Sequence, residues 1–267
     1  RLTISVTRLE QLSPALLELG CPARVYIPLE EVSRLESLPG EGPEWCAVLP
    51  RVWRDRDEPA LRTLLERARA LGFTGVLIGN LGHLPLVRGL NFHLYGDYGL
   101  NVFNSRSLAY LKDKELESAC VSFELRFAQI RDLKKVLRAE AIVYGRLPLM
   151  ITENCLVQNE TGCRLDRQGP CVPEDGPCRC GQPNVLVDRT GAAFPLLPAY
   201  GHRTEIQNSK PLYLADRPEH RRLGLAYARL RFTTETAEEC VSVVQNYLDA
   251  APAAGDFTRG LYERGVE

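Results

Sequence analysis

The chain has 267 residues, of which 45% are apolar and 25% are charged, a balance that excludes a disordered or fibrous protein. Its 33 basic and 34 acidic side chains give a net charge of -1, so the whole chain carries no field that would attract nucleic acid or anionic lipid. No apolar run has the length of a bilayer span, and the first residues lack the features of a signal peptide. We therefore expect a cytoplasmic protein without membrane contact and, because residue 1 is Arg rather than Met, a piece of a longer chain.

Seven short β-rich runs follow one another in the first 146 residues, with helix-like segments between them. They begin at residues 3, 23, 45, 74, 90, 119 and 140, and several are continuously apolar, as is typical of a parallel sheet covered by helices on both faces. Residues 57–73 predict one of the covering helices, because one apolar face is formed by Leu61, Leu64, Leu65, Ala68 and Leu71.

An eighth run, "GLAYARLRF", begins at residue 224 and precedes a last helix. Thr233 or Thr234 is expected to cap that helix. Eight strands that alternate with helices predict an α/β fold, a closed TIM-like (β/α)8 barrel formed by residues 1–150 and 224–250.

The connection between strands seven and eight is about eighty residues long, far longer than an ordinary connection in a compact domain. We predict a single barrel domain, 1–267, with a cysteine-rich insertion at 151–215. Within the insertion, "NVLVDRTGAAFPLLP" predicts a hairpin that turns at Arg189, Thr190 and Gly191. Because it leaves strand seven at its C-terminal end, the insertion is expected on the face where such barrels carry their active sites.

Five of the nine cysteines lie in this insertion, in a stretch that has neither helical nor strand periodicity. In a reducing cytosol such a cluster indicates a metal or cofactor site more than a disulfide framework. Its spacing matches neither a zinc ribbon nor a ferredoxin, so zinc and an iron–sulfur cluster both stay open, and His202 is either a further ligand or a surface histidine. The candidate ligands are Cys155, Cys163, Cys171, Cys178 and Cys180.

Other Cys and His residues are predicted to be structural. Four cysteines stand singly in apolar or helix-like surroundings and are expected to be small buried hydrophobes. They are Cys21, Cys46, Cys120 and Cys240. His93, inside the fifth run, is expected to be a hydrogen-bonded core residue.

Polar residues at predicted strand ends are the candidates for catalysis. Tyr98, Asn101 and Asn104 follow strand five, although loop Asn residues also serve as turn formers. Glu124 ends strand six and Arg146 ends strand seven, so they would bind an anionic substrate or pair with each other. We predict that these five side chains face a common cavity. The sequence contains no nucleophile elbow, P-loop, dinucleotide fingerprint or zinc-protease helix.

Seven stretches between about residue 90 and the end of the chain follow the order of one family's motifs. They are "GDYGLNVFNSRSLAYL", "VSFEL", "VYGRLPLM" followed by Cys155, "LVDRTGAAFPLL", "EIQNSKPLYLAD", "LRFTTETAEEC" and "FTRGLYERGV". Together they resemble the U32 peptidase family, and in particular the C-terminal barrels of long U32 proteins that carry a further domain.

The resemblance implies a cysteine-bound [4Fe-4S] cluster, with zinc as the alternative. It implies ligands at Cys155, at Cys163 and at Cys178 or Cys180. Where many relatives place a fourth cysteine, this chain has the region of Gly201 and His202, so His202 or the additional Cys171 would complete the site.

For function, the resemblance implies support of oxygen-independent hydroxylation of RNA or a small aromatic substrate, with prephenate as oxygen donor. The remaining domains of a longer U32 chain are the expected partners. Two alternatives stay open: a collagenase-like peptidase, and a non-catalytic, metal-bearing partner module of a longer protein. The sequence argues against the peptidase, because it offers no nucleophile with a positioned base.

Overall fold

The structure is a computed structural model that describes residues 1–161 and 182–265. It divides into two compact units. The first unit comprises Arg1–Gly145 and Leu212–Glu267, and the second is Arg146–Pro211. Among the described residues, no helix combines the length and the apolar character that crossing a bilayer requires.

The first unit contains a closed barrel of eight parallel strands. Each strand pairs with the next in chain order, and the last pairs with the first, which leaves no open edge. The predicted (β/α)8 barrel is therefore confirmed. Its strands are β1 (Leu2–Ser5), β2 (Arg24–Pro28), β3 (Glu44–Val48), β4 (Gly75–Ile78), β5 (His93–Gly96), β6 (Ser118–Cys120), β7 (Arg138–Gly145) and β13 (Tyr227–Arg231).

Helices follow most of the barrel strands. The helix at 58–70 buries Leu61, Leu65 and Ala68, as its apolar periodicity predicts. The helices of this unit are α1 (Pro14–Gly20), α2 (Leu29–Val32), α3 (Glu58–Ala70), α4 (His83–Val87), α5 (Ser105–Asp113), α6 (Phe127–Asp132) and α8 (Ala237–Leu248).

The last helix begins later than the sequence predicts. Thr236 is its cap, and its hydroxyl accepts a hydrogen bond from the backbone N–H of Glu239. The prediction of Thr233 or Thr234 was wrong, because Thr233 is fully buried and its backbone N–H is already bound to the Glu235 carboxylate at 2.5 Å. The chain turns at Glu235 before the helix starts.

Two barrel strands are shorter than the sequence predicts. His93 is the first residue of β5 and its side chain is 55% exposed beside Glu117, so the expectation of a core histidine was wrong. β6 ends at Cys120, and Glu124 lies in the turn that follows, where the Ser122 hydroxyl accepts from its backbone N–H at 3.4 Å.

The single cysteines of the barrel unit differ in environment. Cys46, Cys120 and Cys240 are fully buried, as predicted. Cys21 is exposed instead, because it ends α1 in a left-handed conformation with φ of 34° and points away from the core.

The second unit is a four-stranded antiparallel sheet with the order β8-β11-β10-β9. Its hairpin confirms the predicted turn: the Asp188 carboxylate accepts from the backbone N–H groups of Thr190 and Ala192, and Gly191 has φ of 83°. The elements here are β8 (Pro148–Thr152), α7 (Leu156–Thr161), β9 (Asn184–Val187), β10 (Ala193–Ala199) and β11 (Arg203–Gln207). β12 (Leu212–Tyr213) returns the chain to the barrel and pairs with β7.

The pairing of β7 with β13 contains a bulge. The register shifts between Arg229 and Leu230, so that one extra residue of β7 has no partner on β13. The freed carbonyls of Ile142 and Val143 accept hydrogen bonds from the hydroxyls of Tyr262 and Tyr247. Both of these backbone carbonyls at the bulge thus accept a hydrogen bond from a buried tyrosine.

Candidate functional site

A buried ionic cluster fills the centre of the barrel. The Arg229 guanidinium on β13 donates to the Asp97 carboxylate at 2.5 Å and to Glu140 on β7. The Glu140 carboxylate also accepts from the Thr3 hydroxyl at 2.5 Å and from the Tyr26 hydroxyl at 3.1 Å. These groups come from five different strands or strand ends, so the cluster joins opposite walls of the barrel.

The arginine and the tyrosine of the cluster each keep one protonation state. Burial alone would lower the pKa of Arg229, but the carboxylates of Glu140 and Asp97 outweigh it and raise that pKa well above the usual value. Burial also raises the pKa of Tyr26 well above its usual value, which keeps the phenol neutral and able to donate. Asp97, at the end of β5, directly precedes Tyr98, so the ionic cluster adjoins the residues above it.

Four side chains surround the C-terminal end of this interior, and we call them the mouth cluster: Arg51, Tyr98, Phe123 and Arg231. The Arg51 and Arg231 guanidinium carbons lie 5.6 Å and 5.9 Å from the centroid of the Tyr98 ring. The Phe123 ring lies 5.8 Å from the same ring. Two cations near one aromatic ring create a site that suits a planar anion.

Glycines and one histidine position the first arginine. The Arg51 side chain packs on Gly99, where a Cβ would lie 3.1 Å from the Arg51 Cδ and 2.6 Å from the Gly79 carbonyl oxygen. His83 binds the Pro50 carbonyl through Nε2 at 3.1 Å. The loop that carries Arg51 is therefore fixed from both sides.

A glycine also positions the second arginine. Gly145, at the end of β7, has φ of 119°, and a Cβ there would lie 2.0 Å from the Arg231 carbonyl oxygen. Arg231 is 6% exposed and follows Arg229 by two residues on β13, so both arginines point into the barrel. The close approach of the two strand ends sets the height of Arg231 above the ionic cluster.

The sequence-predicted polar residues of this unit take different positions. Tyr98 is central to the mouth cluster, and Glu124 follows Phe123 in the turn after β6. Asn101 has φ of 50° and ends a short 3-10 helix, and Asn104 caps α5 by accepting from Arg106 and Ser107 N–H groups at 3.0 Å. Both asparagines therefore have the turn-forming role that the sequence left open.

The remaining predicted residues belong to the second unit or lie outside the described residues. The Arg146 guanidinium donates to the carbonyls of Asn208 and Ser209. Cys155 is a half-buried free thiol whose sulfur accepts from the Gln158 N–H at 3.4 Å, and His202 has φ of 59° in the turn before β11. Cys163, Cys171, Cys178 and Cys180 fall outside the described residues. Within residues 1–161 and 182–265, no group of three or more Cys, His, Asp or Glu is placed to hold a metal ion.

The barrel thiols are not activated. Burial raises the pKa of Cys46 well above its usual value, and it also raises the pKa of Cys120 above the range of biological pH. Because the thiolate is the nucleophile, neither cysteine is suited to covalent catalysis.

The sequence of this barrel matches a known family. The model of peptidase family U32 matches residues 38–184, which is more than half of the chain. The chain belongs to peptidase family U32. A solved structure, "The Structure of the U32 Peptidase Mk0906", is similar to this U32 chain with 9% identity and a TM-score of 0.47, over 88% of this chain and 94% of that chain. Comparison with curated proteins finds no match.

Sequence reasoning on this U32 chain missed both arginines of the mouth cluster. A signal for Arg231 was present, because "ARLRF" places Arg229 and Arg231 on one face of a strand that must point into a barrel. Arg51 directly follows the strand run "WCAVLP", a position at a strand end like those of the predicted site residues Tyr98 and Glu124. Only closure of the barrel brings the ends of β3, β5 and β13 together.

Proposed function

We propose that this U32 protein supports oxygen-independent hydroxylation of RNA or a small aromatic substrate, and that the mouth cluster binds its oxygen donor. The observation that carries the proposal is the placement of two guanidinium groups, those of Arg51 and Arg231, within 6 Å of the centroid of one aromatic ring, that of Tyr98. Prephenate, the donor implied by the family resemblance, is a dicarboxylate with a ring. Two guanidinium groups and an aromatic face match these features.

The buried cluster supports this role by holding the floor of the site. Arg229 is fully engaged by Asp97 and Glu140, so it is a positioning residue rather than a group that touches the ligand. Asp97 is paired with Arg229, and this counter-charge limits the repulsion that the Asp97 carboxylate would exert on an incoming carboxylate. The donor is then bound by Arg51 and Arg231, the two arginines of the mouth cluster.

The proposed cofactor is a [4Fe-4S] cluster, with zinc as the alternative. Of the candidate ligands, Cys155 is a free, half-buried thiol and His202 lies on a turn of the same unit, and both types of side chain are competent ligands. Cys163, Cys171, Cys178 and Cys180 would complete the set. When bound, a cluster would supply one-electron redox chemistry, and the barrel residues would bind and orient the donor.

A peptidase role has less support from the side chains. The raised pKa values of Cys46 and Cys120 keep both thiols protonated, and the mouth cluster consists of cations and aromatic rings rather than a nucleophile with a base. The mouth cluster is suited to binding an anion, and this favours the hydroxylation role.

Titration of prephenate into the anaerobically prepared protein tests the proposal. Arg51→Gln and Arg231→Gln should each weaken binding about tenfold, because each removes a charge-assisted hydrogen bond. Arg131→Gln is the matched control, since the Arg131 guanidinium is exposed and, within the part of the chain that the structure describes, pairs only with the neighbouring Asp132. Equal affinity of all four proteins, or no binding by the wild type, would reject the mouth cluster as the donor site.

A further inference from the structure

A cavity lies beside the mouth cluster, and its lining differs from the residues of that cluster. It has a volume of about 780 Å³, within the range of small-molecule sites, and it opens at the C-terminal ends of β3, β4 and β5. The residues that the argument uses are Arg51, Asn80, Leu81, Gly99, Arg106 and Tyr110. Only Arg51 is shared with the mouth cluster, so the cavity offers a separate set of contacts.

The charge of the cavity points to an anion. Two arginines line it, and the described residues that form its wall include no Asp or Glu. Arg106 is exposed in the first turn of α5, and its guanidinium has no partner among the described residues. A cation without an internal partner is available to a ligand at no cost in broken ion pairs.

An aromatic ring adjoins this cation on the same helix. Tyr110 follows Arg106 by four residues and therefore lies on the same face of α5, and its side chain is 47% exposed. Lys114, four residues further, places its Nζ 5.3 Å from the Tyr110 ring centroid. Leu81, across the cavity, is 44% exposed. The exposed ring and the exposed leucine provide two apolar surfaces for a flat group.

The base of the cavity offers a ligand one further polar group. Gly79 and Gly99 line it without side chains of their own, and the Arg51 side chain packs over both of them. Asn80 accepts from the Gly82 N–H at 2.8 Å, which leaves its amide nitrogen as a donor. The N-terminus of α5 is already capped by Asn104, so the cavity does not depend on that helix end.

We propose that this cavity binds a phosphate monoester that carries a planar ring, of which a nucleoside monophosphate is the simplest example. Arg106 and Arg51 bind the phosphate, and Tyr110 and Leu81 enclose the ring. The proposal goes beyond the hydroxylation role, because it uses neither Arg231 nor the predicted metal ligands. Arg51 is common to both proposals, but Arg106 and Tyr110 belong to this cavity alone, so their variants test it separately from the donor site.

Calorimetric titration of the whole chain with adenosine 5′-monophosphate, adenosine and inorganic phosphate tests the site. The monophosphate should bind at least about tenfold more tightly than either adenosine or inorganic phosphate, because it alone uses both the cationic and the aromatic surface. Arg106→Gln should weaken the monophosphate about tenfold and leave adenosine unchanged. Tyr110→Ala should weaken both about tenfold, whereas Tyr110→Phe should retain binding.

Arg131→Gln and Arg231→Gln are the controls, and both should bind the monophosphate like the wild type. Equal affinity for the monophosphate and inorganic phosphate would overturn the proposal, because it would indicate general anion attraction only. A single-stranded oligonucleotide that binds while the monophosphate does not would also overturn it. Circular dichroism of each variant ensures that a loss of binding is not a loss of the fold, and Tyr110→Phe keeps the test decisive if Tyr110→Ala unfolds.

Discussion

At the scale of single residues, the cost of burying charge governs the centre of the barrel. Arg229 is 1% exposed and compensates two carboxylates that are themselves buried. Replacing Arg229 by Met should lower the free energy of unfolding by about 3–5 kcal/mol, because Asp97 and Glu140 lose their counter-charge inside the barrel. Urea denaturation followed by circular dichroism measures the change.

The exposed ion pair of Arg131 with Asp132 is the comparison for this prediction. Both side chains are 64% exposed, so Arg131→Gln should leave the denaturation midpoint unchanged. A wild-type midpoint for Arg229→Met would contradict the account, since it would require the two carboxylates to tolerate burial without the arginine.

His83 gives the protein a pH-dependent contribution to stability. Its Nε2 must donate to the Pro50 carbonyl, while Nδ1 is buried and has no hydrogen-bond partner among the described residues, which offer no acceptor for a second proton. Burial lowers the pKa of His83 from 6.5 to about 4. The unfolded chain therefore takes up a proton below pH 6.5 that the folded chain resists, and stability is lost as the pH falls from about 6.5 to 4.

His83→Gln cannot take up this proton and isolates the effect. The wild type should be more stable than the variant at pH 7, and this difference should shrink by about 3 kcal/mol between pH 6.5 and 4. Parallel urea denaturation of both proteins over this range measures the difference. A gap that stays constant with pH would show that His83 titrates alike in the folded and unfolded chains.

At the scale of elements, the junction of β7 and β13 depends on one glycine. Gly145→Ala should cost at least about 4 kcal/mol, because its φ of 119° is unfavourable and the new Cβ would meet the Arg231 carbonyl at 2.0 Å. Gly42 has a similar φ of 109° with no atom within 4 Å, so Gly42→Ala should cost only about 1–2 kcal/mol. Equal losses of stability for Gly145→Ala and Gly42→Ala in thermal melts would contradict the importance of the contact between Gly145 and the Arg231 carbonyl.

The start of α8 provides a second comparison between elements. Thr236→Ala removes the hydroxyl that caps the helix and should lower the free energy of unfolding by about 1 kcal/mol. Thr234, which the sequence offered as an alternative cap, is exposed and outside the helix, so Thr234→Ala should be neutral. If Thr234→Ala proved more destabilising than Thr236→Ala in chemical denaturation, Thr234 would be the cap instead.

Element types followed from the sequence more reliably than element ends. Apolar runs bounded by polar residues identified all eight barrel strands, because burial on both faces leaves a strong composition signal. The end of β6 was not predictable, since "VSFEL" continues an apolar pattern. The turn is marked by two hydrogen bonds of the folded chain, from Glu124 N–H to the Ser122 hydroxyl and from Leu125 N–H to the Ser122 carbonyl. The cap at Thr236 was missed for a similar reason. The Glu235 carboxylate accepts from the backbone N–H of Thr233, and this turn delays the start of the helix.

At the scale of the whole molecule, closure of the barrel decides which residues share a site. Tyr98 was predicted from its position after strand five, but its partners Arg51 and Arg231 come from loops and strands far away in the chain. No local pattern states that Arg229 must neutralise both Asp97 and Glu140. The sequence thus indicated the end of the barrel at which Tyr98 lies, whereas the arrangement of the side chains around it depended on the fold.

We propose that this U32 chain works with a redox-active cluster rather than with a structural metal. The most direct test of this claim is anaerobic purification followed by iron and sulfide analysis and a visible spectrum. We expect about four iron and four sulfide per chain with a broad absorption that is bleached by reductant, a loss of both in Cys155→Ser, and no change in Cys21→Ser, because Cys21 lies exposed at the end of α1. One zinc per chain with no visible absorption, or iron content that Cys155→Ser leaves intact, would contradict the claim.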